Sequence, residues 1–236
     1  MFGFRSSDFI RILPFGFQVC VVISSRLTIV CFAVKEEAAF FLEPEATASQ
    51  QVQTLLTGIG RRNAEKTIRK VLAEKRPELV LSCGFAGGLS PELAAGRVVF
   101  AVDAETGLEE SLLAAGARPA RFHCVQRVVT TAREKRTLWE TTSADAIEME
   151  SGIICDVCRG QSIPSGTVRV ILDTANEDLP LDFNELMTAE QRLDYGKLAM
   201  SLLKSPGKVN ALVRLRRQSV SAAQKLAEVL RKVLRG

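Results

Sequence analysis

Short apolar runs alternate with stretches of helical spacing along this chain. Leu27 to Ala33 (LTIVCFA) is continuously apolar, the mark of a strand buried on both faces. Gln51 to Leu56 predicts a second strand, ending at Thr57-Gly58-Ile59-Gly60. Arg61 to Lys75 then places Ala64, Ile68, Val71 and Leu72 at helical intervals, and Pro77 stops the helix. Leu79 to Cys83 predicts a buried strand running into the glycine-rich Gly84-Phe85-Ala86-Gly87-Gly88. Strand character recurs at Arg97 to Val102, Phe122 to Thr130, Asp145 to Met149 and Thr167 to Leu172. Helical spacing recurs at Arg133 to Glu140, Ser151 to Gly160, Ala189 to Leu203 and Val209 to Leu234. Buried strands alternating with helices predict an α/β domain around a largely parallel or mixed sheet.

Length and composition narrow the class. A chain of 236 residues, 47% hydrophobic and 25% charged, buries a substantial core and is neither disordered nor collagen-like. No internal repeat or composition break divides it, so residues 26–236 are expected to form one domain. Residues 1–25 are an extension of another kind. Phe9 to Ile23 is apolar but broken by Arg11, Pro14, Gly16 and Gln18, too short and too interrupted to span a membrane. Ser24-Ser25-Arg26 is a poor cleavage site, so an extra strand or a mis-assigned start is expected rather than an export signal.

Six Cys at irregular spacing are too few for a secreted disulfide framework and fit a reducing cytoplasm. Cys155-Asp156-Val157-Cys158 has no partner pair, and His123 is the single His, so no metal site is expected. The motif also lies mid-helix, where redox chemistry is not favoured.

Four segments carry candidate chemistry. Gly58-Ile59-Gly60-Arg61-Arg62-Asn63 joins a strand to a helix, as anion-binding turns do, but Asn63 stands where a dinucleotide fingerprint has its third glycine. Gly84 to Leu89 follows a strand, and ligands of α/β sheets bind at such carboxyl ends. Glu148-Met149-Glu150 sits at a strand-to-helix junction, where one carboxylate can face solvent and the other a cleft. Asp173 directly follows an apolar strand, the place of an active-site acid or of an ordinary turn. Glu177, Asp178 and Asp182 beyond it are expected at the surface.

In this order the motifs resemble the nucleoside phosphorylase superfamily, which includes the methylthioadenosine/S-adenosylhomocysteine nucleosidases. The resemblance runs from about Leu27 to Asp173 and includes Val34-Lys35-Glu36-Glu37. It implies a three-layer α/β/α sandwich with a mixed, mostly parallel sheet, and a homo-oligomer. It implies cleavage of a purine N-glycosidic bond through an oxocarbenium-like transition state. Asp173 then matches the acid at purine N7, and Glu37 the residue that deprotonates attacking water. Glu150 matches the ribose-binding carboxylate, with Met149 packed under the sugar. Gly58, Gly60, Gly84, Phe85 and Gly87 fall in substrate-binding segments. No cofactor is implied, although inorganic phosphate is a candidate co-substrate.

Residues 173–184 and the basic ending look like the hopanoid-associated phosphorylase branch, which implies an adenosylhopane-type substrate. Phe85, Ser82 and Leu172 depart from common patterns at the nucleophile, phosphate and acid positions. Arg61 and Arg133 are candidate cations for a phosphate. Glu37 points to water as nucleophile, the branch resemblance to phosphate. The alternatives are a hydrolytic nucleosidase acting on a soluble adenine nucleoside such as methylthioadenosine, and a non-catalytic purine or nucleotide binder of the same fold.

Charge adds one feature. From Lys208 onward there are eight Lys/Arg and one acid, a net +7, which leaves −3 for the rest of the chain. This fits a solvated face on a terminal helix, or attraction to an anionic lipid surface holding a lipid-linked nucleoside. The expected location is thus the cytoplasm or the membrane periphery. Nucleic acid is not an expected partner.

Overall fold

The structure, a computed structural model, describes residues 26–43, 50–188, 194, 196–197, 200 and 207–234. The strand or misplaced start expected before Arg26, and most of the helix expected over 189–203, lie outside the described residues.

Eight strands form one sheet among the described residues: β1 (Arg26–Phe32), β2 (Gln50–Leu56), β3 (Leu79–Gly88), β4 (Val98–Val102), β5 (Arg118–Pro119), β6 (Phe122–Cys124), β7 (Ala146–Glu148) and β8 (Ser165–Asp173). The order is β2-β1-β3-β8-β4-β5, with β7 on the far end of β3 and β6 beside β7. Most pairs are parallel; β4 against β8 and β3 against β7 are antiparallel. The sheet is therefore mixed and mostly parallel, as expected.

Helices cover both faces. They are α1 (Lys35–Ala38), α2 (Arg61–Glu74), α3 (Glu109–Ala114), α4 (Ala132–Thr142), α5 (Ser151–Arg159) and α6 (Lys208–Leu234). Alternation along β1 shows the layering. Val30 and Phe32 join a core with Leu112 of α3 and Leu226 and Leu230 of α6. Ile29 and Cys31 face the opposite core, with Ile68 of α2 and Ile154 of α5. A strand buried on both sides has no position for a polar period, hence its continuous apolar run.

Two sequence expectations change. Residues 84–88 are not a loop: β3 continues through them, pairing with β8 and finally with β7 across a register shift at Ala86/Gly87. The strand beginning at Phe122 stops at Cys124. Beyond it Val129 leaves the sheet to pack with Leu89, Ala144 and Ile147.

The last helix is anchored by its C-terminal half, where Ala222, Leu226, Leu230 and Val233 are buried. Its first half is half-exposed, and Leu215 and Ser219 there reach the cavity described below. Leu226→Ala should lower the unfolding free energy by about 2–5 kcal/mol, the cost of a cavity at a fully buried site. Urea denaturation measures it.

Candidate active site

A cavity of about 350 Å³ opens where the sheet forks between β3, β7 and β8. Glu37, Phe85, Gly87, Met149, Glu150 and Asp173 all line it. Four separate sequence segments thus meet at the carboxyl ends of the strands. The volume suits a small organic ligand.

Arg169 lies beneath the cavity, in the middle of β8. Val168 and Val170 on either side face the α6 layer, so strand alternation turns Arg169 to the other face. Its guanidinium is 1% exposed and meets three carboxylates. Nη2 donates to Glu148 Oε2 at 2.7 Å and to Ser82 Oγ at 3.1 Å, and lies 3.5 Å from Glu150 Oε2. The same charge acts on Glu37. Three buried carboxylates against one cation leave an excess of negative charge that the site must shed or shield.

The carboxylates differ in what holds them. Glu148 accepts the backbone N–H groups of Glu150 (2.9 Å) and Ser151 (2.6 Å) at the start of α5, and the Cys124 thiol at 2.5 Å. Burial raises its pKa, but Arg169 and these hydrogen bonds outweigh burial and hold it below its ordinary value. Glu150 accepts one N–H, from Gly60 at 2.8 Å. Burial, with Glu148 and Glu37 nearby, overrides Arg169 and pushes its pKa up to about 7. Both carboxylates are buried, so the expectation that one faces solvent is overturned. The outward position falls instead to neither, because Arg169 draws both inward.

Glu37 is placed by α1. Its Oε2 accepts from the N–H groups of Ala33 (2.9 Å) and Val34 (3.3 Å), and its Oε1 from that of Phe85 (2.8 Å). Burial nevertheless raises its pKa, against Arg169 and these bonds. Gly84 makes this geometry possible. It sits at φ +148°, and a Cβ there would lie 2.5 Å from both Arg169 Nη1 and Glu37 Oε1.

Gly58 and Gly60 have φ of +83° and +82°, so the turn needs them, but the Gly60 N–H holds the protein's own Glu150. Ile59 between them lines the cavity, whereas Gly58, Gly60 and Gly84 do not. Ser82, at the position compared with a phosphate-binding Arg, is 1% exposed and bonded to Arg169. Arg61 and Arg133 are exposed and away from the cavity.

Asp173 ends β8, and its Oδ2 is 2.5 Å from Lys135 Nζ. Burial raises its pKa, partly opposed by Lys135. Glu177, Asp178 and Asp182 are exposed as expected, yet they brace the loop that follows: Glu177 accepts from Thr174 N–H, and Asp178 from Ala132 N–H. Leu179, Phe183 and Met187 from this loop form an apolar wall of the cavity. Cys158 is a buried free thiol and Cys155 a half-buried one on α5.

Sequence reasoning missed two cations. Arg169 had a signal, a charge inside the β-branched run Thr167 to Leu172. Lys135 had none, since Arg133, Glu134 and Arg136 surround it with ordinary surface-type residues.

Glu150 titrates near 7 in the folded protein against an ordinary 4.5. A raised carboxyl pKa adds stability at low pH that is lost as pH rises through the folded value. The unfolding free energy should therefore fall by about 3 kcal/mol between pH 4.5 and 7 from this group. Urea titrations across that range should show a flatter profile in Glu150→Gln; an unchanged slope would remove Glu150 as its source.

Comparison with known proteins agrees with this architecture. Residues 108–204 match the phosphorylase superfamily. The 5′-methylthioadenosine/S-adenosylhomocysteine nucleosidase of Shewanella sediminis is 25% identical over 174 residues, 59% of this chain and 76% of that protein. Among solved structures, the corresponding nucleosidase of Campylobacter jejuni superposes with a TM-score of 0.62 at 15% identity, over 89% of this chain and 98% of that one. Futalosine hydrolase of Helicobacter pylori gives 0.59 at 15% identity, over 87% and 97%. The structural likenesses establish the fold, and the sequence matches make the chain similar to the phosphorylase superfamily over residues 108–204.

Proposed function

We propose that this protein is an enzyme that hydrolyses the N-glycosidic bond of an adenine nucleoside, with water rather than phosphate as nucleophile. The observation that carries the choice of water is the cluster of Glu37, Glu148 and Glu150 around a single Arg169. A phosphate dianion there would meet three carboxylates and an Arg169 that is already engaged, while Arg127, a cation on the cavity wall, is paired with Glu134. Water needs only a base. Its named relatives are nucleosidases, which supports the same reading.

In this mechanism Glu37 accepts a proton from water, and its raised pKa makes it a better base. The water oxygen forms a bond to the anomeric carbon C1′ as the C1′–N9 bond breaks. The bonding pair passes into the purine, and Asp173 donates a proton to N7. Glu37 ends protonated and Asp173 ionised, so turnover requires the reverse at the start. Burial favours the protonated form of Asp173. Glu150 faces the sugar hydroxyls and stabilises the positive charge that develops on the ribosyl group. Met149 supplies an apolar floor.

Purified protein should release adenine from adenosine or methylthioadenosine, measured by chromatography, at the same rate with and without phosphate. Asp173→Asn and Glu37→Gln should each lower kcat by about 10²–10⁴-fold. Release that requires phosphate would make the enzyme a phosphorylase and overturn this choice of nucleophile.

A second reading concerns the 5′ substituent. The apolar wall of Leu179, Phe183, Met187 and Leu215 favours an apolar group, up to a lipid such as the adenosylhopane type. On α6, exposed Val209, Val213 and Val220 accompany exposed Arg214, Arg216 and Arg217, a composition suited to an anionic membrane surface. No helix among the described residues is long and apolar enough to cross a membrane. Under this reading, reversing the charge of the three arginines abolishes co-sedimentation with anionic vesicles. Unchanged co-sedimentation would exclude a role for this face.

A further inference from the structure

Lys135 is an unusual residue in this fold. It lies on α4, among residues typical of a solvated helix, yet its side chain is fully buried. Burying an ammonium is costly unless each donor is matched. Here all three donors have partners. Nζ reaches Asp173 Oδ2 at 2.5 Å, the Thr174 carbonyl at 2.7 Å and the Glu177 carbonyl at 2.8 Å. An ammonium has three donors and no acceptor, so this set uses it completely. Leu172, the neighbour of Asp173 on β8, offers no polar group to the acid.

We propose that Lys135 is the positioning residue that sets the acid strength of Asp173, an inference that rests on the N-glycosidic reading above. Its ammonium fixes Oδ2 and stabilises the carboxylate left when the proton on the other oxygen passes to the leaving base. The O–H bond of Asp173 breaks as the N–H bond at purine N7 forms, and Lys135 keeps its own protons throughout. The two carbonyl contacts prevent it from following the moving charge.

The charged groups that face Asp173 are Lys135 from α4 and Glu177 from the following loop. Burial and Glu177 favour the protonated carboxyl, and Lys135 opposes them. This opposition has a use. Burial alone would give an acid that holds its proton too tightly, whereas an ammonium at hydrogen-bond distance makes its conjugate base accessible. The same Lys135 also ties Thr174 and Glu177, at the start of the loop that carries Leu179, Phe183 and Met187 to the cavity wall. The test must therefore separate charge from scaffolding.

Lys135→Met removes the charge and the hydrogen bonds; Lys135→Gln removes the charge and retains amide donors for the carbonyls. Titration of the Asp173 carboxyl carbon by NMR, with the signal identified by its loss in Asp173→Asn, reads the acid directly without turnover. Both variants should move its midpoint to higher pH. The alkaline limb of the kcat profile should move the same way, and kcat at the optimum should fall by about 10²-fold. If Lys135→Met does not fold, Lys135→Gln decides alone. An unmoved midpoint, with kcat reduced equally at every pH, would reduce Lys135 to a loop anchor and overturn the inference. A wild-type protein that releases no base, while the midpoint still moves, would instead overturn the N-glycosidic reading and leave the control of Asp173 by Lys135 standing.

Discussion

The site depends on one buried guanidinium. Arg169 sits in the most central part of the sheet, on a strand paired on both sides, and it gathers Glu148, Glu150 and Glu37 from two other segments. Without a cation at that point three carboxylates would face one another in a medium that cannot solvate them. With one cation, the arrangement holds but stays short of neutral. Burial raises the pKa of Glu37 and Glu150 above that of ordinary carboxylates, and at Glu150 the neighbouring Glu148 and Glu37 add to it.

The backbone is adapted to that guanidinium. Gly84 has no side chain because Arg169 and Glu37 occupy the space where its Cβ would lie. Past the register shift at Ala86, Gly87 pairs with Asp173 of β8 and with Ile147 of β7, and the cavity opens at this junction. Glu148 then serves both systems. It neutralises Arg169 on one side and accepts the first N–H groups of α5 on the other, so the helix and the charge cluster fix each other's position. A glycine-rich segment at a strand end can therefore be a place where side chains from elsewhere approach closely, as here, and not a loop that cradles a ligand.

Two buried cations hold the carboxylates of the site. Arg169 is paired with Glu148 and Glu150, and Lys135 with Asp173. Both are almost fully withdrawn from water. Leu179, Phe183, Met187 and Leu215 give the cavity an apolar wall, and Arg127 also lines it.

Much of the fold was legible in the sequence because burial on both faces leaves a plain mark. The run Leu27 to Ala33 and the spacing of Ala64, Ile68 and Leu72 are local consequences of the two cores. Met149, Glu150 and Asp173 were likewise legible as candidates, since each stands at the end of a strand or at a turn, whereas Glu37, inside α1, was indicated only by the family resemblance. What local pattern could not contain was the meaning of β3 beyond Cys83, where glycines that imply a loop are held in a strand by partners far along the chain. Nor could it contain the direction of a charge. Lys135 looks like its exposed neighbours on α4 and is buried only because the loop after β8 closes over it with two carbonyls. Arg169 and Glu148 are 21 residues apart, and their pairing exists only once β7 and β8 lie in the same sheet. Periodicity records which residues leave water. The electrostatics of a site depend on distances between segments, and those arise only when the sheet has formed.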